Sequence, residues 1–322
     1  MSSETTSQHT DRDQYRRGFF ERLRQSPFLS ELLSNRLALL GLSIILFVAL
    51  IAIHARLTLD LEAIKATQLG TNPSMVGPCG ESGVIDAIQS AGSCAHPMGT
   101  DLQGRDIFDR VRYGAWLALK YGTITVGAST VLGVGLGIIA AYYGGWIDNL
   151  VMRTMDVLLA FPSLLLALAL VAIFGAGLWK AVIALTLVYT PRFARVVRGA
   201  ALKVMEDEYI DATVALGARD GRILLRHVLP NSIAPITVQS TLNYGLAIID
   251  IAALSFLGFG ASAGTPSWGA MLTNGVEQGL LSGHWWWSFF PGLLLALTVL
   301  GFNLLGDGMR DALDPRMREA VD

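Results

Sequence analysis

Charge is what this 322-residue chain has least of: 16% of its residues are charged, where an ordinary soluble domain carries about 25%. With 52% hydrophobic residues and a mean hydropathy of +0.48, a soluble globular domain is excluded and a membrane protein is indicated. A basic surplus is missing too. The net charge is −2, and the lysines and arginines lie in separate stretches, so the electrostatic footprint of a nucleic-acid binder is absent. The five histidines, His9, His54, His96, His227 and His284, have no ligand spacing, which argues against a metal site. No G-x-x-x-x-G-K-[ST] occurs, so the chain has no P-loop for ATP. The glycine run at 133–137 lies inside an apolar stretch without the strand and acidic partner of a dinucleotide site. Nor is there a clustered nucleophile, base or metal set for a membrane-embedded enzyme.

What is present is a series of uncharged runs near the 20 or so residues that a bilayer core needs. They predict an all-α membrane protein with six transmembrane helices, at Leu37 to Ile53, Trp116 to Tyr142, Leu150 to Phe174, Leu178 to Val197, Ile233 to Phe259 and Trp285 to Leu305. The first 35 residues are polar and carry Arg12, Arg16, Arg17, Arg22 and Arg24, too long and charged a lead for a cleaved signal. The apolar run that follows reads as a retained anchor. Lys plus Arg number six in 1–36, seven in 192–226 and three in 306–318, against none in 260–284. Positive charge stays inside, which places both termini and the loop between spans four and five in the cytoplasm. The organisation expected is a cytoplasmic tail at 1–36, a first span at 37–53, an external segment at 54–114, a five-span core at 115–305 with a cytoplasmic loop at 198–231, and a tail at 306–322.

That loop holds the most charged stretch of the middle of the chain, "DEYIDATVALGARDGRILLRHVLPN". A helix from Glu206 to Leu216 is expected, with Tyr209, Ile210, Thr213, Val214 and Leu216 close to one side and acids in the first turn, where the helix dipole favours them. Gly217 supplies the left-handed residue that ends it. A second helix, capped by Asp220 and stopped at Pro230, would bring Arg219, Arg222 and Arg226 to one face. The product is a rigid two-helix knuckle. A DNA-reading helix-turn-helix has this outline, but a tether between two membrane spans and the lack of a basic domain count against it.

The segment resembles the cytoplasmic coupling motif of ABC importer permeases: Glu-Ala-Ala, three residues, Gly, nine residues, Ile, one residue, Leu-Pro. Asp211, Ala212, Thr213, Gly217, His227, Leu229 and Pro230 fall at those intervals, with Asp for Glu, Thr for the second Ala and His for Ile as departures. "RHVLPN" is similar to the peptide and nickel branch. So are "HPMGTDLQGRDIFDRVRYGA" (96–115), "AYYGGWIDN" (141–149) and "FNLLGDGMRDALDPRM" (302–317). The layout looks like the C-type subunit of dipeptide and oligopeptide importers.

The resemblance implies a type I, MetI-like permease fold in the cytoplasmic membrane. It implies a second, B-type permease subunit, two ATPases that bind the knuckles and carry the ATP and Mg, and an extracytoplasmic substrate-binding protein. The subunit itself then has no catalytic residue and no cofactor, and Glu208 and Arg219 join the seven motif residues as the ATPase-coupling set. The cargo implied is a dipeptide or oligopeptide, with nickel or another small solute as the same-fold alternative. An ion-coupled secondary transporter would instead show an inverted repeat and broken midplane helices.

Within the spans, Asp250 follows twenty-three uncharged residues and precedes twenty-six more. A carboxylate there is costly unless paired or facing water, so it is either a lining residue of the translocation path or an aspartate hydrogen-bonded to a neighbouring helix. Ser129, Gly133, Gly137 and Ala141, spaced by four, give span two a smooth stripe for close helix contact. Asp156 is expected to pair with Arg153 at the inner surface, Lys120 to snorkel outward, and Pro162 and Pro191 to kink spans three and four. Asn303 is expected as a helix contact. Trp285, Trp286 and Trp287 suit either the headgroup region or a packed aromatic cluster. Cys79 and Cys94 share the external segment and are candidates for a disulfide, which would constrain the chain by about 3 kcal/mol. From 264 to 283, Trp268, Met271, Leu272 and Val276 recur at helical spacing and predict a short helix lying at the outer surface.

Overall fold

The computed structural model describes residues 32–66, 72, 74–78 and 96–313. Cys79, Cys94 and the greater parts of both predicted tails lie outside the described residues, as does most of the external insertion. Among the described residues the protein is built of helices, and the pairing of Thr100 with Asp106 is an isolated bridge.

Helix α1 (Arg36–Thr58) starts where the Asn35 side chain accepts from the Leu37 and Ala38 N–H groups, as an N-cap should. After a short α2 (Leu61–Lys65) comes the longest element, α3 (Ile107–Tyr143). The Asp106 carboxylate caps it by accepting from Phe108 and Asp109. It begins nine residues before the apolar run at Trp116. At 1.5 Å per residue it is about 55 Å long, so a 30 Å hydrocarbon core leaves it projecting. Gly144 and Gly145, both at positive φ, turn the chain into α4 (Gly145–Leu159).

The expected continuous third span is in fact two helices. Helix α4 and α5 (Ser163–Phe174) are bent by 93° at their break. Pro162 sits in that break with no N–H to continue the helix, and its ring disfavours helical backbone in the residue before it. Pro191, by contrast, lies inside the unbroken α6 (Leu178–Met205). Beyond the knuckle, α9 (Ile233–Phe256) and α11 (Trp286–Leu313) complete the bundle.

By length and composition together, α1, α3 and α11 are each able to cross a membrane, and the bent pair would make a fourth. Helices α6 and α9 have 28 and 24 residues, long enough to span, but their polar positions dilute the apolar signal.

The stripe on α3 packs as its spacing predicts. Ser129, Gly133, Gly137 and Ala141 are all buried. A Cβ on Gly133 would lie 2.3 Å from the Phe193 Cβ and 2.8 Å from the Thr190 carbonyl, and one on Gly137 would lie 2.6 Å from the Ala194 carbonyl. The backbones of α3 and α6 therefore touch along two turns, and this contact organises the bundle. One apolar cluster, including Leu117, Leu185, Tyr189, Phe193, Ala247 and Leu254, fills the space between α3, α6 and α9.

The helix expected to lie on the outer surface is instead wedged into the bundle. In α10 (Trp268–Asn274) the Trp268 indole is buried and its Nε1 donates to the Val111 carbonyl at 3.0 Å. Trp286 and Trp287 are buried in the same cluster, both donating through Nε1 to the Thr100 carbonyl, at 3.5 and 2.9 Å. They form the packed cluster, and Trp285 alone of the three stays largely outward. Buried indoles need an acceptor, and the segment before α3 supplies it.

Candidate functional site

The knuckle is made of α7 (Glu208–Ala215) and α8, which begins as Asp220–Ile223, widens into a π turn at Leu224–Val228 and closes with Leu229–Asn231. Gly217 sits at φ +76°, and the Ala218 N–H reaches back to the Thr213 carbonyl at 3.3 Å, so the left-handed stop forms as its sequence predicts.

Two expectations change. The backbone at the N-cap of α8 is Arg219, not Asp220. Pro230 does not stop the helix but is carried in its last turns. The π turn before it, where Leu229 N–H bonds to Leu224 O, relaxes the clash a proline ring makes with the carbonyl four residues back.

The proposed single face of α7 is also divided. Ile210 is buried with Ile223 and Val228 against Ile138, Ala141, Val197 and Ala201 of α3 and α6. Tyr209 and Val214 are exposed, Leu216 is 88% exposed, and Leu225 on α8 is 70% exposed. Glu208, Asp211, Ala212, Gly217, Arg219 and Pro230 lie at the surface, as do Arg222 and Arg226, while Thr213, His227 and Leu229 are half-buried. Across the two arms the Asn231 amide donates to the Tyr209 hydroxyl at 2.9 Å, while within α8 it also donates to the His227 carbonyl at 2.8 Å, and the rings of Tyr209 and His227 are 6.0 Å apart. The knuckle thus exposes apolar side chains, Val214, Leu216 and Leu225, together with charged ones.

The helices behind it are tied by ion pairs. Arg198 on α6 grips Asp148 on α4 with two hydrogen bonds, of 2.5 and 2.6 Å. Asp156 pairs with Arg195 at 2.5 Å, not with Arg153 as expected, because α4 runs alongside α6 and the cross-helix arginine reaches the carboxylate.

Within the bundle, Asp250 is 9% exposed, and its Oδ2 accepts from the Tyr189 hydroxyl of α6 at 2.6 Å. Arg192 lies 5.4 Å from the Tyr189 ring. Lys120 is not simply directed outward: its Nζ lies 5.2 Å from the Tyr121 ring and 5.8 Å from that of Trp179. Asn303 is a helix contact, since its Oδ1 would lie 2.9 Å from a Cβ on Gly245.

At the other end of α3 is a polar hub that the sequence reading passed over. Asp101 accepts from the Gln103 and Arg105 N–H groups at 2.9 and 3.0 Å and from Arg105 Nε at 2.7 Å. Arg110, buried, donates through Nη1 to the Ile64 and Gly264 carbonyls at 3.1 Å each. His96 Nδ1 meets Asp106 Oδ2 at 2.7 Å. The charge density of "TDLQGRDIFDRVR" beside an apolar run was the available signal. Its side chains order the segment that receives both indoles.

Residues 133–319 match the family described as the binding-protein-dependent transport system inner membrane component. The chain belongs to that family. Its relatives agree. It is 46% identical over 290 residues, 89% of this chain and 88% of the other, to the dipeptide transport system permease protein DppC of Alkalihalophilus pseudofirmus. It is 45% identical over 233 residues, 72% of this chain and 77% of the other, to the glutathione transport system permease protein GsiD of Pectobacterium atrosepticum.

Among solved structures, an inward-facing methionine ABC transporter, MetNI, aligns with 65% of this chain and 94% of its own, at 21% identity and a TM-score of 0.48. As a member of the family the chain is a multi-pass membrane permease subunit of an ABC importer, working with other components of such a system.

Proposed function

We propose that this permease subunit carries dipeptides or short oligopeptides across the cytoplasmic membrane, one of two permease subunits in an importer driven by two ATPases and fed by an extracytoplasmic binding protein. The observation that carries the cargo is 46% identity to a dipeptide permease along nearly the whole length of both chains. The matching level of identity to a glutathione permease favours a second reading, a short thiol tripeptide. Both cargoes are peptides with free termini.

In this reading the chain has six spans, with α6 and α9 crossing alongside α1, α3, the bent α4 and α5, and α11. Both termini and the knuckle face the cytoplasm, where positive charge is concentrated. The knuckle is the ATPase-docking element, with Leu216, Leu225 and Val214 as the apolar tip and Glu208, Asp211 and Arg219 as the rim. An apolar centre with a charged border is the anatomy of a protein interface. ATP and Mg belong to the partner ATPases. Asp250, buried in the last third of α9, is assigned to the translocation path, held by Tyr189.

Co-purification with Leu216→Asp tests the docking. The substitution puts a carboxylate into the tip, and the ATPases should be lost from a complex that still contains both permeases. An unchanged ATPase content would refute the assignment. The cargo is tested by asking which peptides, delivered by the binding protein, stimulate ATP hydrolysis.

A further inference from the structure

Asp220 does not serve as the helix cap its position suggests. Its Oδ1 accepts from the Tyr142 hydroxyl at 3.0 Å and its Oδ2 from the Tyr143 hydroxyl at 3.4 Å. Those tyrosines are the last two residues of α3, their rings set edge to face with centroids 5.2 Å apart. Among the described residues these are the side-chain hydrogen bonds that join the knuckle to another element; those of Tyr209, Thr213, Asn231 and Ser232 stay inside the knuckle or its exit.

We infer that Asp220 is a positioning residue that fastens the knuckle to the end of α3, so that α3, and not only the two helices joined to the knuckle by the chain, is driven when the knuckle moves. Three features support this. The knuckle's buried residues, Ile210, Ile223 and Val228, pack on Ile138 and Ala141 in the last turns of α3, so the hydrogen bonds sit at the rim of an apolar contact. Helix α3 touches α6 backbone to backbone at Gly133 and Gly137, so a displacement of its end is carried into the bundle as rigid-body motion, packed helices being little compressible. Directly after Tyr143 the chain turns at Gly144 and Gly145, both at positive φ, and α4 is held to α6 by the Arg198 and Arg195 ion pairs. The end of α3 is therefore the corner at which the knuckle, α3 and the α4–α6 pair meet.

The inference rests on the knuckle being the ATPase-docking element, and the test separates the two. The complete importer is reconstituted with its binding protein, and ATP hydrolysed per peptide imported is measured for the wild type, the Tyr142→Phe/Tyr143→Phe double variant and Asp220→Asn. The phenylalanines keep the rings and remove only the hydroxyls. Both variants should retain ATPase subunits and basal hydrolysis; Asp220→Asn, whose amide oxygen keeps one acceptor, should hydrolyse about fivefold more ATP per peptide, the factor that one hydrogen bond of ordinary net strength confers, and the double variant, which loses both bonds, more than that.

Hydrogen exchange supplies a second readout. In the wild type, nucleotide should change protection at 138–143. In the variants that change should vanish while the changes in α6 and α9 persist. An unaltered coupling ratio, or nucleotide-dependent protection that persists at 138–143, would overturn the role of Asp220. Loss of ATPase subunits from either variant would overturn it as well, by showing that these residues belong to the docking surface. If Leu216→Asp leaves ATPase binding intact, it is the docking assignment that fails.

Discussion

Gly133→Ala and Gly137→Ala should each destabilise the bundle, although alanine is the better helix former. The comparison is with Gly127 and Gly135 on the same helix, where an added Cβ meets nothing within 4 Å. Glycine to alanine in a helix interior gains about 1 kcal/mol at all four positions, so that gain cancels in the difference and leaves the contact cost. At Gly133 the new carbon would stand 2.3 Å from the Phe193 Cβ, 2.8 Å from the Thr190 carbonyl and 3.0 Å from the Ala194 nitrogen, where carbon contacts are favourable at about 3.5–4.0 Å.

Two of those three atoms are backbone, so relief requires α3 and α6 to separate by roughly 1 Å. A gap of that size forfeits a quarter to a half of each dispersion contact along the stripe. An overpacking cost of about 1–3 kcal/mol follows, with Gly133 toward the upper end. At roughly 2 °C per kcal/mol for a chain of this size, Gly133→Ala should melt about 2–6 °C below Gly135→Ala in the same detergent. Thermal unfolding of the purified variants, followed by loss of monodisperse protein on gel filtration, measures this. Equal melting temperatures for the two would refute the backbone contact between α3 and α6.

Four further outcomes follow from the sequence and the structure. Tyr189→Phe removes the hydrogen bond that the Asp250 carboxylate accepts and should lower stability by about 1 kcal/mol, the scale of interhelical hydrogen bonds in membranes; Asp250→Asn should reduce uptake more than expression, and unchanged uptake kinetics would remove Asp250 from the path. Gly217→Pro forces a φ near −65° where the turn needs +76° and should abolish transport and ATPase coupling with membrane insertion intact, so normal uptake by a normally assembled complex would contradict the knuckle's rigidity. Alkylation before and after reduction should reveal a Cys79–Cys94 bridge by mass, and a mass independent of reduction would reject it.

Much of this was legible because membrane helices declare themselves by composition and glycines by spacing. The stripe on α3 needed only a period of four. Gly217 needed only its place after a periodic apolar run, and the knuckle's boundaries came within two residues at its first helix.

What escaped depended on partners distant in sequence. Nothing near Asp220 announces that Tyr142 and Tyr143 will reach it, and the nearest cation to Asp156 in sequence, Arg153, is not the one α6 brings alongside. For Trp286 and Trp287 the sequence left the headgroup region and a packed cluster equally open, and Trp268 was expected on a surface helix; the acceptors at Val111 and Thr100 that draw them inward lie more than 150 residues away. The break at Pro162 was visible as a proline, but its 93° angle depends on how α4 and α5 pack.

The central claim, a peptide permease driven through the knuckle by partner ATPases, is tested most directly in proteoliposomes that hold the complete complex and the binding protein. The account predicts uptake of a labelled dipeptide that requires ATP on the knuckle side and persists when ion gradients are collapsed by ionophores. Uptake by this chain alone, driven by an ion gradient without ATP, would contradict it.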